Sequence, residues 1–291
     1  MIYQGRFAPS PTGPLHLGSL VTAVGSFLQA RQQNGHWYVR IEDIDTPRVV
    51  VGAAQAILST LVRFGMTWDG DVIFQSQRIS AYQEILADLQ AKHLVYPCTC
   101  TRKQLAGTIY QGQCRQRVLT NETRYAWRIK TDARILHFID AIQGQQSGCV
   151  ESEIGDFIIK RSDGLFAYQL VVVVDDAAQN ITHIARGADL LDTTLRQIYL
   201  QQQLGYPMPN YTHFPVLVNE QGKKLSKQTF ASSIEHQPPL PLLIQVLTLL
   251  GQTIPAELYH VNLQTFWDWA IQHWDVQKVP RLSNIPINTT I

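Results

Sequence analysis

Two stretches far apart in the chain carry residue types suited to holding a polyphosphate. Near the start, Phe7-Ala8-Pro9-Ser10-Pro11-Thr12-Gly13-Pro14-Leu15-His16-Leu17-Gly18-Ser19-Leu20 sets three prolines and a glycine ahead of an apolar run at helical spacing. Gly13 and Gly18 let a ligand approach the backbone where a Cβ would intrude. The helix start behind them offers N–H groups and a partial positive charge, and His16 can donate to a phosphate oxygen without carrying a fixed charge. Far downstream lies Gly222-Lys223-Lys224-Leu225-Ser226-Lys227, a lysine cluster introduced by glycine. A lysine run alone is ordinarily a solvated loop, and a proline-rich segment alone is ordinarily a helix cap. No GxxxxGK[ST] sequence competes with them as a phosphate cradle.

A third cluster has metal-ligand chemistry. Cys98, Cys100 and Cys114 place three of the four cysteines within 17 positions. In a cytosolic, reduced chain, such thiols are better suited to zinc than to a disulfide. The spacing leaves the fourth ligand open among Tyr110, His93, His137 and Cys149, with Cys149 otherwise a plain buried thiol. The same region is basic: Arg102, Lys103, Arg115, Arg117, Arg124, Arg128, Lys130 and Arg134 face only Glu122 and Asp132 between Cys98 and Arg134. That excess is either a solvated face or a phosphate-contacting surface.

These groups need a frame. The 291 residues carry a net charge of +1, with 45% hydrophobic and 16% charged residues. That composition supplies a large core and no general affinity for polyanions. No apolar run reaches the roughly 18 residues of a membrane span, and the early prolines and Arg6 do not fit a secretory leader, so a cytoplasmic protein is expected, and a monomer is taken as the working form. Ile2–Phe7 reads as a strand, Leu15–Gln33 as a helix, and His36–Glu42 as the next strand. A helix follows Pro47 to about Phe64, then a strand at Ile73-Phe74 and a helix over Tyr82–Leu94. Strands alternating with helices predict a parallel sheet. The alternation breaks at Pro97 and resumes with Phe166–Asp176, apolar enough to be a strand buried on both faces, followed by a helix over Leu191–Leu204. The expected architecture is a Rossmann-type α/β catalytic domain (1–97 and 156–215) interrupted by a small zinc-containing insertion (98–155). A lysine loop and a short, mainly helical C-terminal region (216–291) complete it. There Leu240–Leu250 and the segment around Trp267, Trp269 and Trp274 form helices, with the tryptophans in the core.

Taken together, His16-Leu17-Gly18-Ser19 and Lys224-Leu225-Ser226-Lys227-Gln228 resemble the two signature elements of class I aminoacyl-tRNA synthetases. Arg6-Phe7-Ala8-Pro9-Ser10-Pro11-Thr12-Gly13, Arg40-Ile41-Glu42-Asp43-Ile44-Asp45, Asp175-Asp176 and Arg186-Gly187-Ala188-Asp189-Leu190-Leu191 narrow the resemblance to the glutamyl group. Ser19 stands where the first element has a second histidine, and Gln228 where the second has its last serine.

The resemblance implies a ligase in which an L-glutamate carboxylate attacks the ATP α-phosphate and displaces pyrophosphate, with Mg2+ accompanying the nucleotide. ATP would lie on Pro9, Thr12, Gly13, His16, Gly18, Ser19, Lys224, Ser226 and Lys227, with His16 and Lys227 serving the chemistry. Glutamate would lie on Arg6, Ala8, Ser10, Glu42, Tyr168 and Arg186, the arginines facing carboxylates and Glu42 the ammonium. It also implies structural Zn2+ on Cys98, Cys100, Tyr110 and Cys114. Only 64 residues follow Lys227, short for an anticodon-binding domain. This pattern resembles a truncated branch of the glutamyl synthetases that activates glutamate without tRNA. That branch attaches glutamate to the queuosine base in the anticodon loop of tRNA(Asp). The alternatives are a minimal synthetase charging a tRNA 3′ end and a non-catalytic RNA-binding paralogue.

Overall fold

The computed structural model describes residues 2–105, 109–117, 124–225 and 233–287, so Ser226, Lys227 and Gln228 lie outside the described residues. The chain starts as the alternation predicts. Strand β1 (Gln4–Phe7) leads into helix α1 (Leu17–Gln32), then β2 (His36–Ile41), α2 (Ala53–Arg63), β3 (Ile73–Phe74) and α3 (Ile79–Ala91). β1 pairs in parallel with β2, and β2 with β3. Helix α1 buries Leu20, Val21, Val24, Phe27 and Leu28. Helix α2 begins later than the sequence suggests. Pro47 sits instead in a single 3-10 turn, Thr46–Arg48, and the helix starts after Gly52, whose φ of 80° is left-handed.

The middle of the chain forms an antiparallel sheet from β4 (Val95–Cys98), β5 (Ala126–Ile129) and β8 (Ile158–Lys160), with the short helix α4 (Arg102–Leu105) alongside in sequence. Between β5 and β8 comes the hairpin of β6 (Ile135–Asp140) and β7 (Gly144–Cys149). Although its sequence lies within 98–155, β6 joins the parallel sheet.

The run ending in Asp175-Asp176 requires a correction. It is helix α5 (Tyr168–Ala178), not a strand. Leu170, Val171, Val172, Val173 and Val174 are all buried, so no amphipathic period distinguishes the two forms, and the β-branched residues favour the wrong one. Packing against α3 and, further on, α6 (Thr194–Leu204) outweighs a propensity difference of well under about 1 kcal/mol per residue.

Strand β9 (His183–Gly187) follows, then α6 and β10 (Asn210–Phe214), with β10 parallel to both β9 and β6. Thr182, just before β9, donates its N–H to Gln4 O at 2.9 Å. The two parallel sheets therefore meet edge to edge between β1 and β9. After β11 (Val216–Val218) come helices α7 (Pro239–Leu249) and α8 (Leu263–His273) and strand β12 (Asn284–Pro286), which pairs with β11. Trp267 and Trp274 are in the core, and Trp267 Nε1 donates to Phe64 O at 2.9 Å.

At Gly25, α1 packs closely against Phe214 of β10. A Cβ there would lie 2.5 Å from the Phe214 ring of β10. Gly25→Val should therefore lower unfolding stability by about 1–3 kcal/mol through overpacking. Urea denaturation with an unchanged midpoint would contradict this packing.

Candidate active site

The carboxyl ends of β1, β2 and β9 and the start of α1 enclose a cleft of about 840 Å³. Such an opening at strand ends is where open α/β sheets bind ligands. Its walls contain Arg6, Ala8, Pro9, Ser10, Thr12, His16, Gly18, Ser19, Glu42, Tyr168, Arg186 and Lys224, residues separated by up to 218 positions in sequence. Gly13, also expected at the nucleotide, is not part of the wall. Its φ of 138° makes the bend that turns the chain into α1. The proline segment is tied down by its carbonyls: Glu42 N–H donates to Pro9 O and Val50 N–H to Pro11 O, at 3.0 and 2.9 Å.

His16 is the N-cap of α1. Its Nδ1 accepts from Ser19 N–H at 3.2 Å, while Ser19 Oγ accepts from His16 N–H at 2.8 Å, a reciprocal capping box. With Nδ1 accepting, a neutral imidazole carries its proton on Nε2, so the ring is a donor there. Ser19 thus fills a capping role at the position where the resembled element has histidine. Beside it, a Cβ on Gly18 would stand 3.4 Å from Leu225 O. On the far side of the lysine loop, Ser233 bridges to His16, and Ile234 N–H donates to Leu15 O at 3.1 Å. The far end of the lysine loop is therefore pinned to the His16 turn, and its near end to β11, where Leu225 N–H donates to Leu217 O at 2.8 Å. Lys224 Nζ also pairs with Asp189 at 2.5 Å.

Beneath the cleft lies a buried ion cluster. Asp176 accepts from Arg6 Nε at 2.9 Å and Nη2 at 3.3 Å, and from Arg40 Nη1 at 2.7 Å. Asp175 accepts from Gln75, Tyr82 and Arg78. Burial works to raise the Asp176 pKa, but Arg40 and Arg6 outweigh it and the net shift is downward. For Glu42, burial wins over Arg40 and Arg6 and the carboxyl rises. Arg186 is different. It is buried, and its partners are neutral: His213 Nε2 at 2.9 Å, Gln197 Oε1 at 2.8 Å, Thr194 Oγ1 at 2.8 Å and Tyr168 Oη at 3.4 Å. Among the described residues no carboxylate pairs with it within 4.0 Å.

The cysteines also converge. The Sγ atoms of Cys98, Cys100 and Cys114 lie within 4.8 Å of one another. The Tyr110 hydroxyl lies 3.3 Å from Cys98 Sγ and 3.8 Å from Cys100 Sγ, and Cys100 and Cys114 sulfurs are 3.5 Å apart. Burial opposes ionisation of Cys114, yet hydrogen bonds from Tyr110 and the Thr99 N–H bring its thiol down to about 7. Sulfurs around a tetrahedral zinc sit about 3.8 Å apart, given bonds of about 2.3 Å, so this donor set fits a metal ion. Cys149 is not a buried thiol as expected; on the edge strand β7 it is half-exposed. Part of the basic excess nearby is paired within the protein, although among the described residues only Arg128 is buried. Arg115 pairs with Asp156, Arg128 donates to Asp156 O and lies 4.1 Å from the Tyr110 ring centroid, and Arg134 pairs with Asp132.

Asp176, Arg40, His213, Asp140, Gln197 and Thr194 were not assigned roles from sequence. The two acids ending an apolar run were the available signal for Asp175 and Asp176. His213, inside Asn210–Phe214, had none.

The described helices include none long and apolar enough to cross a membrane. Residues 3–267 match the family model described as tRNA synthetases class I (E and Q), catalytic domain, and the chain belongs to that family. Among its relatives, the glutamyl-Q tRNA(Asp) synthetase of Aromatoleum aromaticum is 52% identical over 287 residues, covering 96% of this chain and 91% of the relative. That of Dechloromonas aromatica is 50% identical over 97% of each chain. In structure, the glutamate-tRNA synthetase of Elizabethkingia anophelis superposes with a TM-score of 0.82 at 26% identity, covering 99% of this chain and 68% of that one.

The buried carboxylates set an acid limit. Asp176, Asp140 and Asp156 all have lowered folded pKa values, so their contribution is complete above the ordinary value of about 3.9 and is lost as pH falls through the folded values. Removing Asp176 leaves Arg6 and Arg40 short of a buried partner. Asp176→Asn should cost about 3–5 kcal/mol at pH 7 and reduce the loss of stability below about pH 4. An equal acid slope in the variant, measured by urea denaturation across pH, would contradict the assignment.

Proposed function

We propose that this chain condenses L-glutamate with ATP to glutamyl-adenylate without tRNA, then passes the glutamyl group to the queuosine base at the wobble position of tRNA(Asp). The observation that carries the reading is Arg186, a buried cation with neutral partners at the wall of a cleft shared with the His16 turn and Lys224. An unneutralised guanidinium in a low-dielectric wall favours a substrate carboxylate strongly. Glutamate has one to offer there, and a second to attack the ATP α-phosphate. The relatives named glutamyl-Q tRNA(Asp) synthetase support the acceptor.

Arg6 and Arg186 face substrate carboxylate, Glu42 faces the ammonium, and Ala8, Ser10 and Tyr168 complete that wall. His16, through Nε2, and the α1 start hold the nucleotide with Pro9, Thr12, Gly13, Gly18 and Ser19. Lys224 and Lys227 neutralise the departing pyrophosphate, and Ser226 donates a hydrogen bond to it. Attack of the carboxylate oxygen on the α-phosphorus breaks the bond to the bridging oxygen, so positioning and charge neutralisation dominate. Mg2+ bound with ATP supplies further neutralisation of the phosphates. Cys98, Cys100, Tyr110 and Cys114 would hold Zn2+ and order a segment with little core of its own. The protein acts as a cytoplasmic monomer on the anticodon loop.

Glutamate-dependent exchange of labelled pyrophosphate into ATP, run without tRNA, tests the first half-reaction. It should proceed, and Lys227→Ala should abolish it while leaving melting unchanged. Absence of exchange in the parent protein would sink the reading. Labelled glutamate should then reach queuosine-bearing tRNA(Asp) on the base. Label on the 3′ end of the glutamate tRNA instead would assign the chain to charging.

The metal assignment has its own readout. Purified protein should contain zinc near one equivalent per chain, and Cys98→Ser should lower both the zinc content and the melting temperature. Metal-free protein with undisturbed melting would remove the site.

A further inference from the structure

Arg186 does not hold its own orientation. Besides Gln197, Thr194 and Tyr168, it is held by an arrangement spanning three adjacent strands. In the β9–β10 register Arg186 stands opposite His213, and Asp140, at the end of β6, pairs with Tyr211 of β10. Arg186 Nε–H can only donate, and His213 Nε2 lies 2.9 Å from it, so that nitrogen accepts. The imidazole proton is therefore on Nδ1, which donates to Asp140 Oδ2 at 2.6 Å. The other oxygen of Asp140 accepts the backbone N–H groups of Ile142, Gln143 and His213 at 3.0, 2.9 and 3.1 Å. His213 is fully buried and Asp140 is 2% exposed, so no water competes for either bond.

We propose that Asp140 and His213 are positioning residues for glutamate: Asp140 selects the histidine tautomer that presents a lone pair to Arg186, and that bond aims the guanidinium into the cleft. Neither side chain lines the cleft. The inference rests on the reading of Arg186 as the carboxylate-binding group.

The arrangement has a specific weakness. Asp140→Asn can keep all three backbone bonds through its amide oxygen while turning an NH2 toward His213 Nδ1. The imidazole must then accept at Nδ1 and carry its proton on Nε2, where two N–H groups would oppose each other across the Arg186 contact. Loss of a hydrogen bond to a charged group predicts a glutamate KM raised by about 10- to 100-fold, with the ATP KM changed by less than about threefold. His213→Leu should behave like Asp140→Asn. His213→Gln offers an amide oxygen near the Nε2 position without depending on a tautomer, and should recover most of the glutamate affinity lost in His213→Leu.

Pyrophosphate exchange measured against each substrate decides. An unchanged glutamate KM in a folded Asp140→Asn protein overturns the proposal, as does a parallel rise in both KM values. Equal defects in His213→Gln and His213→Leu also overturn it, and this pair decides alone if Asp140→Asn does not fold. Arg186→Gln separates the two levels. If it leaves the glutamate KM unchanged, the functional reading fails as well. If it raises the KM while Asp140→Asn is silent, only the positioning inference fails.

Discussion

One carboxylate holds the floor of the cleft together. Asp176 sits in the last turn of α5, where a negative charge is disfavoured by the helix dipole, and it is 3% exposed. It is tolerable because Arg6 from β1 and Arg40 from β2 both close on it. Arg40 in turn reaches Glu42 at 3.4 Å. A single acid thereby fixes the ends of two parallel strands to a helix that arrives about 170 residues later. An apolar replacement of the whole cluster could be equally stable. It would not set Arg6, Glu42 and Tyr168 at fixed places on one wall.

That division explains what could be read from the sequence. The first half of the sheet was legible because β1, α1, β2, β3 and α3 alternate in period and are punctuated by proline, glycine and asparagine. The cleft was legible because its residues are polar or glycine in short runs that match family signatures. The α5 helix was not, since a segment buried all round has no polar face and its valines favour a strand. His213 was hidden for a related reason. In Asn210–Phe214 it reads as an ordinary member of a mixed strand, and its role arises only when register sets it opposite Arg186.

The cysteine segment shows the same limit from the charge side. Its basic residues look like a surface for phosphate when counted along the chain. In three dimensions Asp156, itself 1% exposed, draws in Arg115 and accepts from Tyr96, Thr131 N–H and Thr131 Oγ1. Arg128 lies over the Tyr110 ring, bringing a cation beside the thiol cluster. Two of the basic residues, Arg115 and Arg128, are therefore spent on internal order beside the thiol cluster. Lys103, Arg117, Arg124 and Arg134 stay at the surface, and Arg134 is paired there with Asp132.

The two arginines proposed to face substrate are chemically unequal, and under that proposal the inequality bears on selectivity. Arg6 already has a carboxylate at 2.9 Å, so its charge is compensated before any ligand arrives. It can orient an incoming acid but gains little Coulomb energy from one. Arg186 has no such compensation, and four neutral acceptors hold it in place without neutralising it. A neutral amide in place of the substrate carboxylate would leave that buried charge unmatched, which is costly away from water. The same four acceptors also use most of the five N–H donors of the guanidinium, so little of its hydrogen-bonding capacity is left for the ligand. If Arg186 binds the substrate as proposed, discrimination for an acidic side chain comes less from the number of contacts than from net charge, and the side chains that keep Arg186 uncompensated matter as much as those that touch substrate.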